Sequence, residues 1–384
     1  LSEASNVNAA LSGAAQFSLQ ANGPVANPNV DLTLDGNQLS INGQELANLS
    51  VQARGNFAGD TPEGTGAITG LLDGSELEGR ANLRTMPNGE RQVADLLIRQ
   101  GNNRVTGDLR LTTALAPLGT IDVDIQDIGP LAALGGLQAS GDVTGMIALD
   151  QSADGTPIAR PEITANSLSI AGIALSGAKI DLDVADYLGT PFATGSVSAN
   201  AIDTGAVAVN DLDVMLSREN DFNALDADAR LDGVPVELAA LARFAPEETM
   251  LSLRKLTMAI DQAPVALQNN ATLRIADGVT RLDGFTLSVG DGSLEASGSA
   301  GETLDLSLDM NAVPAAVAGP FIEGVEPSGT LNGQARVTGA ASDPSASFEL
   351  TGEALTTADL TATNVPPVDF AVAGSYESSV LTLA

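Results

Sequence analysis

The chain contains no cysteine, no histidine and no tryptophan, and lysine occurs only at Lys179 and Lys255. Without cysteine there are no disulfides, no zinc–thiolate sites and no thiol nucleophile. A cysteine-free chain fits an oxidising compartment. Without histidine, Ser-His-Asp and Cys-His arrangements and histidine-ligated metals are excluded. Two lysines leave little room for a Ser-Lys dyad, and carboxylates are too widespread to mark a glycosidase pair. No enzyme active site is expected. Basic residues are scarce too: 17 against 49 acidic ones, for a net charge of -32. That balance is opposite to the positive footprint nucleic acid requires, so no nucleic-acid partner is expected. It also disfavours direct docking on anionic headgroups. Aromatics make up 3% of the 384 residues, fewer than a thick globular core usually draws on. Long apolar runs are missing: Val313 to Ile322, "VPAAVAGPFI", is among the longest and is too short to span a bilayer.

What is present is 43% hydrophobic residues, arranged with period two. "TIDVDIQDI" from Thr120 puts Ile121, Val123 and Ile125 on one face and Asp122, Asp124 and Gln126 on the other. "AKIDLDV" from Ala178 does the same with Ile180, Leu182 and Val184, and "TLDLSLDM" from Thr303 with Leu304, Leu306, Leu308 and Met310. Such runs are half-buried strands. The alternating aspartates lack the glycine and distant glutamate of a calcium loop, and coat the wet face instead. The scattered Tyr187, Tyr376 and phenylalanines form no stacking platform.

Pieces of the chain recur. "NGPVANPNVDLTLDGNQL" (Asn22 to Leu39) aligns without a gap to "TGAASDPSASFELTGEAL" (Thr338 to Leu355). The first carries Val30, Leu32 and Leu34 on its apolar face; the second carries Phe348 and Leu350. "NQLSINGQEL" from Asn37 and "NSLSIAGIAL" from Asn166 share six of ten positions, with a diverged copy, "NAIDTGAVAV", from Asn200. "SGDVTG" from Ser140 and "SGTLNG" from Ser328 each follow a proline-led segment. Proline suits a first helical turn, so short helices are expected near 130–137, 235–244 and 314–322. The uneven spacing argues against a fixed-period solenoid. The expectation is an all-β fold, a long antiparallel repeat sheet with a few short helices. Residues 1–384 read as one continuous β segment, internal to a longer protein.

The Gly-x-x-x-Asp-Pro strand opener (Gly339 to Pro344), the "LSIxGxxL" unit, Ser-Gly-x-aliphatic-x-Gly after a proline-led helix, and the Asp/Leu alternation together resemble the periplasmic TamB family and, more distantly, AsmA-like proteins. The resemblance implies a U-shaped, β-taco-like trough with an apolar inside, bridging the inner and outer membranes of Gram-negative bacteria. It implies conduction of phospholipid acyl chains and support of outer-membrane protein assembly with a TamA-like barrel partner. It also implies periplasmic localisation, with an inner-membrane anchor outside this segment. The fifteen apolar residues named on the strand faces above, Val30 through Leu350, are then the expected lipid groove, and no cofactor or metal is expected. Exposing two acyl chains to water costs on the order of 25 kcal/mol, which a dry trough avoids. The alternative is an extracellular or surface β-repeat stalk with a filled interior and no lipid cargo.

Overall fold

The computed structural model describes residues 11–57, 59, 61–205, 207–245, 247–260, 263–321, 327–377 and 380–383. Most of it is strand, and within each unit the strands pair antiparallel. The chain divides into two compact units, Leu1–Ala208 and Val209–Ala384.

The first unit is a meander. It runs β1 (Leu11–Asn22), β2 (Asn29–Ile41), β3 (Gln44–Asn56), β4 (Glu63–Leu72), β5 (Ser75–Thr85), β6 (Arg91–Gln100), β7 (Asn103–Leu111) and β8 (Pro117–Ile125). Helix α1 (Gly129–Leu134) interrupts it, and it resumes as β9 (Ala139–Gly141), β10 (Val143–Gln151), β11 (Pro157–Ile170), β12 (Ile173–Ala185) and β13 (Phe192–Asp203). Each strand pairs with its sequence neighbours except around β9 and β10, which share one place in the ladder, both lying against β11 while β10 alone pairs with β8. The repeats seen in the sequence are hairpins. Asn42–Gly43 and Ala171–Gly172 turn "NQLSINGQEL" and "NSLSIAGIAL" with positive φ at both central residues, 51° and 85° in the first and 51° and 86° in the second. This is the type I′ geometry that matches strand twist.

The second unit continues the same plan. It comprises β14 (Ala208–Glu219), β15 (Phe222–Leu231), β16 (Val234–Phe244), β17 (Thr249–Ile260), β18 (Ala263–Leu267), β19 (Ala271–Ala276), β20 (Val279–Val289), β21 (Gly292–Ala300) and β22 (Thr303–Pro314). A 3₁₀ turn (Ala315–Phe321) precedes β23 (Pro327–Ala340) and β24 (Asp343–Thr357), and helix α2 (Ala358–Ala362) precedes β25 (Val368–Glu377) and β26 (Val380–Leu383). Here β18 and β19 together fill one place between β17 and β20.

The three expected helices fare differently. The first is α1, with Pro130 in its opening turn and Gly135 at its end. The third is the 3₁₀ turn; Pro314 belongs to β22, and Ile322 lies outside the described residues. The second is a correction: 235–244 is strand β16, paired on both sides. Its alanine-rich sequence favours helix locally, but Asp232–Gly233, with φ of 48° and 85°, forms a tight hairpin turn immediately before it. That turn delivers the chain into the ladder against β15, and tertiary pairing overrides propensity.

Two small clusters are buried, both at strand ends. In the first unit Leu39, Leu46, Leu49, Leu72 and Leu77 pack together under Leu131 and Leu134 of α1. In the second, Val265, Val289 and Val313 pack under Val317 of the 3₁₀ turn. The departure of β8 into α1 is fixed by buried Asn103, whose Oδ1 accepts from the backbone N–H of Gln126 (2.8 Å) and Asp127 (3.0 Å). Its Nδ2 donates to Asp127 O (2.6 Å) and to Gln100 Oε1 (2.8 Å).

Candidate functional site: a one-sided apolar face

Directly opposed residues in a ladder point to the same face of the sheet. In the first unit one row of opposed residues can be followed strand by strand: Phe17, Leu34, Val51, Ile68, Gly79 and Ile98. It continues through Val105, Val123, Gly145, Ile163, Ile180 and Val197. No charged or polar side chain interrupts it. Val30 and Leu32, Ile121 and Ile125, and Leu182 and Val184 stand two or four residues from this row on their own strands, hence on the same face.

The second unit has its own row. From β16 it runs Ala242, Leu251, Leu273, Leu282, Gly298 and Leu306. It goes on through Val337, Ala346, Tyr376 and Leu381. Leu304, Leu308 and Met310 flank Leu306, while Phe348 and Leu350 lie opposite Ala335 and Gly333. Ala335 and Gly333 in turn face Leu308 and Met310. Register therefore brings the sequence-derived residues of each unit onto a single face.

Charge occupies the other face. Arg54–Asp31 (2.9 Å), Arg80–Glu78 (2.9 Å), Arg160–Asp183 (2.9 Å) and Arg336–Asp305 (3.0 Å) all alternate with the apolar positions. These pairs are exposed and contribute little stability individually. They serve to hold the sheet's polar side wet.

Most of the apolar face is half-buried rather than sealed. Ile125 is buried, at the end under α1, and Leu306 is 36% exposed in mid-strand. Across β3–β6 the face opens into a depression of about 310 Å³ lined by Val51, Ala53, Ile68, Ala81, Leu96 and Ile98. Glycines at Gly66 and Gly79 deepen it by omitting side chains.

Alternation by itself would not keep this face uniform, because the apolar residues slip phase within strands. Bulges correct the slip. The ladder shifts register at Asn48, Asp95, Asp211, Ala312 and Ala354, each in the left-handed region at φ 48–54°. A bulge re-aims the residues beyond it, so Val313 joins Met310 in one cluster although they stand three positions apart. Sequence reasoning missed these positions. Their signal was faint: an Asn or Asp, or nothing more than Ala, at a phase slip.

Among the described residues no group of acidic side chains is placed to hold a metal ion, and no helix is long and apolar enough to cross a membrane. The chain matches no protein-family model, no curated protein and no solved structure.

Proposed function

We propose that the chain is a groove segment of the TamB type, in which the apolar face carries phospholipid acyl chains along the stacked strands between the membranes of a Gram-negative envelope. The observation that carries this reading is the apolar row, unbroken through the first unit and from β16 to β26 in the second, and left half-open along these strands. On β15 and β14 its register positions are occupied by Asn223 and Arg218. A sheet that ends in water does not leave so much contiguous apolar surface without an occupant. Tails lying on it escape a penalty of about 0.8 kcal/mol per methylene, and headgroups remain hydrated beyond it. No catalytic group is needed, in keeping with the lack of histidine and cysteine.

A contact within the first unit supports a curled, trough-like sheet. Asn42, in the β2–β3 turn, donates from Nδ2 to Leu134 O of α1 at 2.9 Å. In a flat sheet the strand leading into α1, β8, would stand five spacings from β3, roughly 24 Å away. A sheet bent toward its apolar side shortens that span and lets a six-residue helix reach across it. Periplasmic localisation, a barrel partner and a role in outer-membrane protein assembly belong to the same proposal and rest on the family resemblance.

The test is lipid transfer between donor and acceptor vesicles by the purified chain, with mass spectrometry of co-purified lipid. Leu306→Arg places an unpaired charge in the row between Gly298 and Val337, a costly setting. It should abolish transfer while the β circular-dichroism signature persists. Unchanged transfer in a folded Leu306→Arg protein would overturn the groove. The stalk reading is favoured by the ends filled under α1 and the 3₁₀ turn, and predicts no lipid on extraction.

A further inference from the structure

The lip of the second unit carries an arrangement that apolar packing does not explain. Arg274 on β19 and Arg281 on β20 are directly opposed, a like-charge pair that destabilises a ladder. Acidic residues outnumber basic ones 49 to 17, yet neither arginine makes an ion pair or hydrogen bond among the described residues. Other arginines of this unit are held: Arg230 by Asp211, Arg243 by Glu248, Arg254 by Glu219 and Arg336 by Asp305. Asp283, two residues beyond Arg281, lies opposite Thr272 and makes no bond to either guanidinium.

The two arginines flank the Asp277–Gly278 turn, three residues to either side. At this same end the apolar face bares large side chains. Phe244 is 47% exposed and Ile275 43%, and Thr249 pairs with both. Leu251 is exposed beside them. The opposite end of these strands is the one closed by Val317 over Val265 and Val289. The β16–β20 lip thus sets exposed apolar groups on one face and, on the other, two adjacent arginines that form no ion pair among the described residues. About 10 Å of strand separates each arginine from the turn, a distance that a long snorkelling side chain and a hydrated headgroup span together.

We propose that this lip is a loading point for an anionic diacyl phospholipid, its tails against Phe244, Leu251 and Ile275 and its phosphate between Arg274 and Arg281. Guanidinium forks bind phosphate oxygens bidentately, and an anion between them removes the repulsion they otherwise exert on each other. The inference rests on the groove reading and adds to it an entry site and a headgroup preference.

The test is calorimetric titration of the full chain with dihexanoyl phosphatidylglycerol below its micelle concentration, with dihexanoyl phosphatidylcholine, and with inorganic phosphate. The expected result is binding of phosphatidylglycerol about tenfold tighter than phosphatidylcholine, a preference weakened by salt and lost in Arg274→Gln/Arg281→Gln. Arg336→Gln, which removes an arginine already paired to Asp305, should retain the preference. The double variant relieves a like-charge contact and should melt no lower than the parent, so loss of binding is not loss of fold. Equal affinity for the two lipids, or an unchanged preference in the double variant, would overturn the loading site and leave the groove standing. Inorganic phosphate binding as tightly as phosphatidylglycerol would also overturn it, as a site for free anions. If neither lipid binds, the groove reading falls and the loading site with it.

Discussion

Leu39 folds back over Gly36, so that a Cβ added at Gly36 would lie 2.6 Å from Leu39 Cδ1 and 2.9 Å from its Cγ. The same relation holds between Gly352 and Leu355. These are the Gly-x-x-Leu ends of the two longest aligned repeats. Both strands leave regular register near that glycine, and the leucine beyond returns to the apolar face over the vacancy the glycine leaves.

Gly36→Ala should therefore destabilise the chain by about 1–3 kcal/mol, the usual cost of overpacking. Leu39 is buried in a five-leucine cluster and cannot swing clear. Gly66→Ala is the matched comparison, since a Cβ there meets open space and should change stability little. Urea melts of the two variants read the difference directly; equal midpoints would show that Leu39 relaxes freely.

Asn103→Ala should be more severe than most buried polar truncations. It leaves the Gln126 and Asp127 amides and buried Gln100 without their partner, at a cost of about 1–3 kcal/mol for such orphaned groups. Amide exchange should speed up at Gln126 and Asp127 and through α1, and only weakly in β11–β13. Uniform acceleration across the unit would contradict this local role.

Asp142, between β9 and β10, accepts from the backbone N–H of Asn166 (3.0 Å), that of Ser167 (2.9 Å) and the side chain of Asn166 (2.8 Å). These bonds, the Asn166 amide first, hold its carboxyl below the ordinary value of 3.8. A carboxylate depressed on folding stabilises the fold above its unfolded pKa and loses that contribution as pH falls through the lowered folded value. Protection of the Asn166 and Ser167 amides should thus be full at pH 6 and decline below about pH 4. In Asp142→Asn it should be weak at both pH values, and a wild-type pH profile in that variant would refute the assignment.

Leu182→Arg extends the groove prediction to the first unit. Leu182 lies opposite Gly195 on the apolar face, where no carboxylate alternates into reach. Lipid transfer should fall at least about tenfold, as a charge stripped of solvation is expensive there, while Lys179→Gln, on the charged face, should leave transfer intact. Vesicle assays of both proteins distinguish an apolar track from a nonspecific effect of charge.

Much of this was legible in the sequence because strand faces follow period two and tight turns announce themselves. Ile121, Val123 and Ile125 could be placed together from alternation alone. The segment 235–244 was misread because its leading Pro235 suits a first helical turn, while the deciding signal, Asp232–Gly233, lies just before it. The bulges at Ala312 and Ala354 were invisible: nothing about alanine announces a left-handed backbone. Nor could the opposition of Arg274 and Arg281 be read, since it depends on the register of two strands and not on either strand's own pattern.

Within each unit a strand bonds only to the strands beside it, and every hairpin returns the chain to the end from which it came. The hairpin is therefore a unit of growth. Outside the span that α1 closes over, inserting one lengthens the ladder by about 10 Å and asks nothing of strands farther along, so reach can change by gene duplication without redesigning a cross-section. Uneven, half-eroded repeats are the trace such growth would leave.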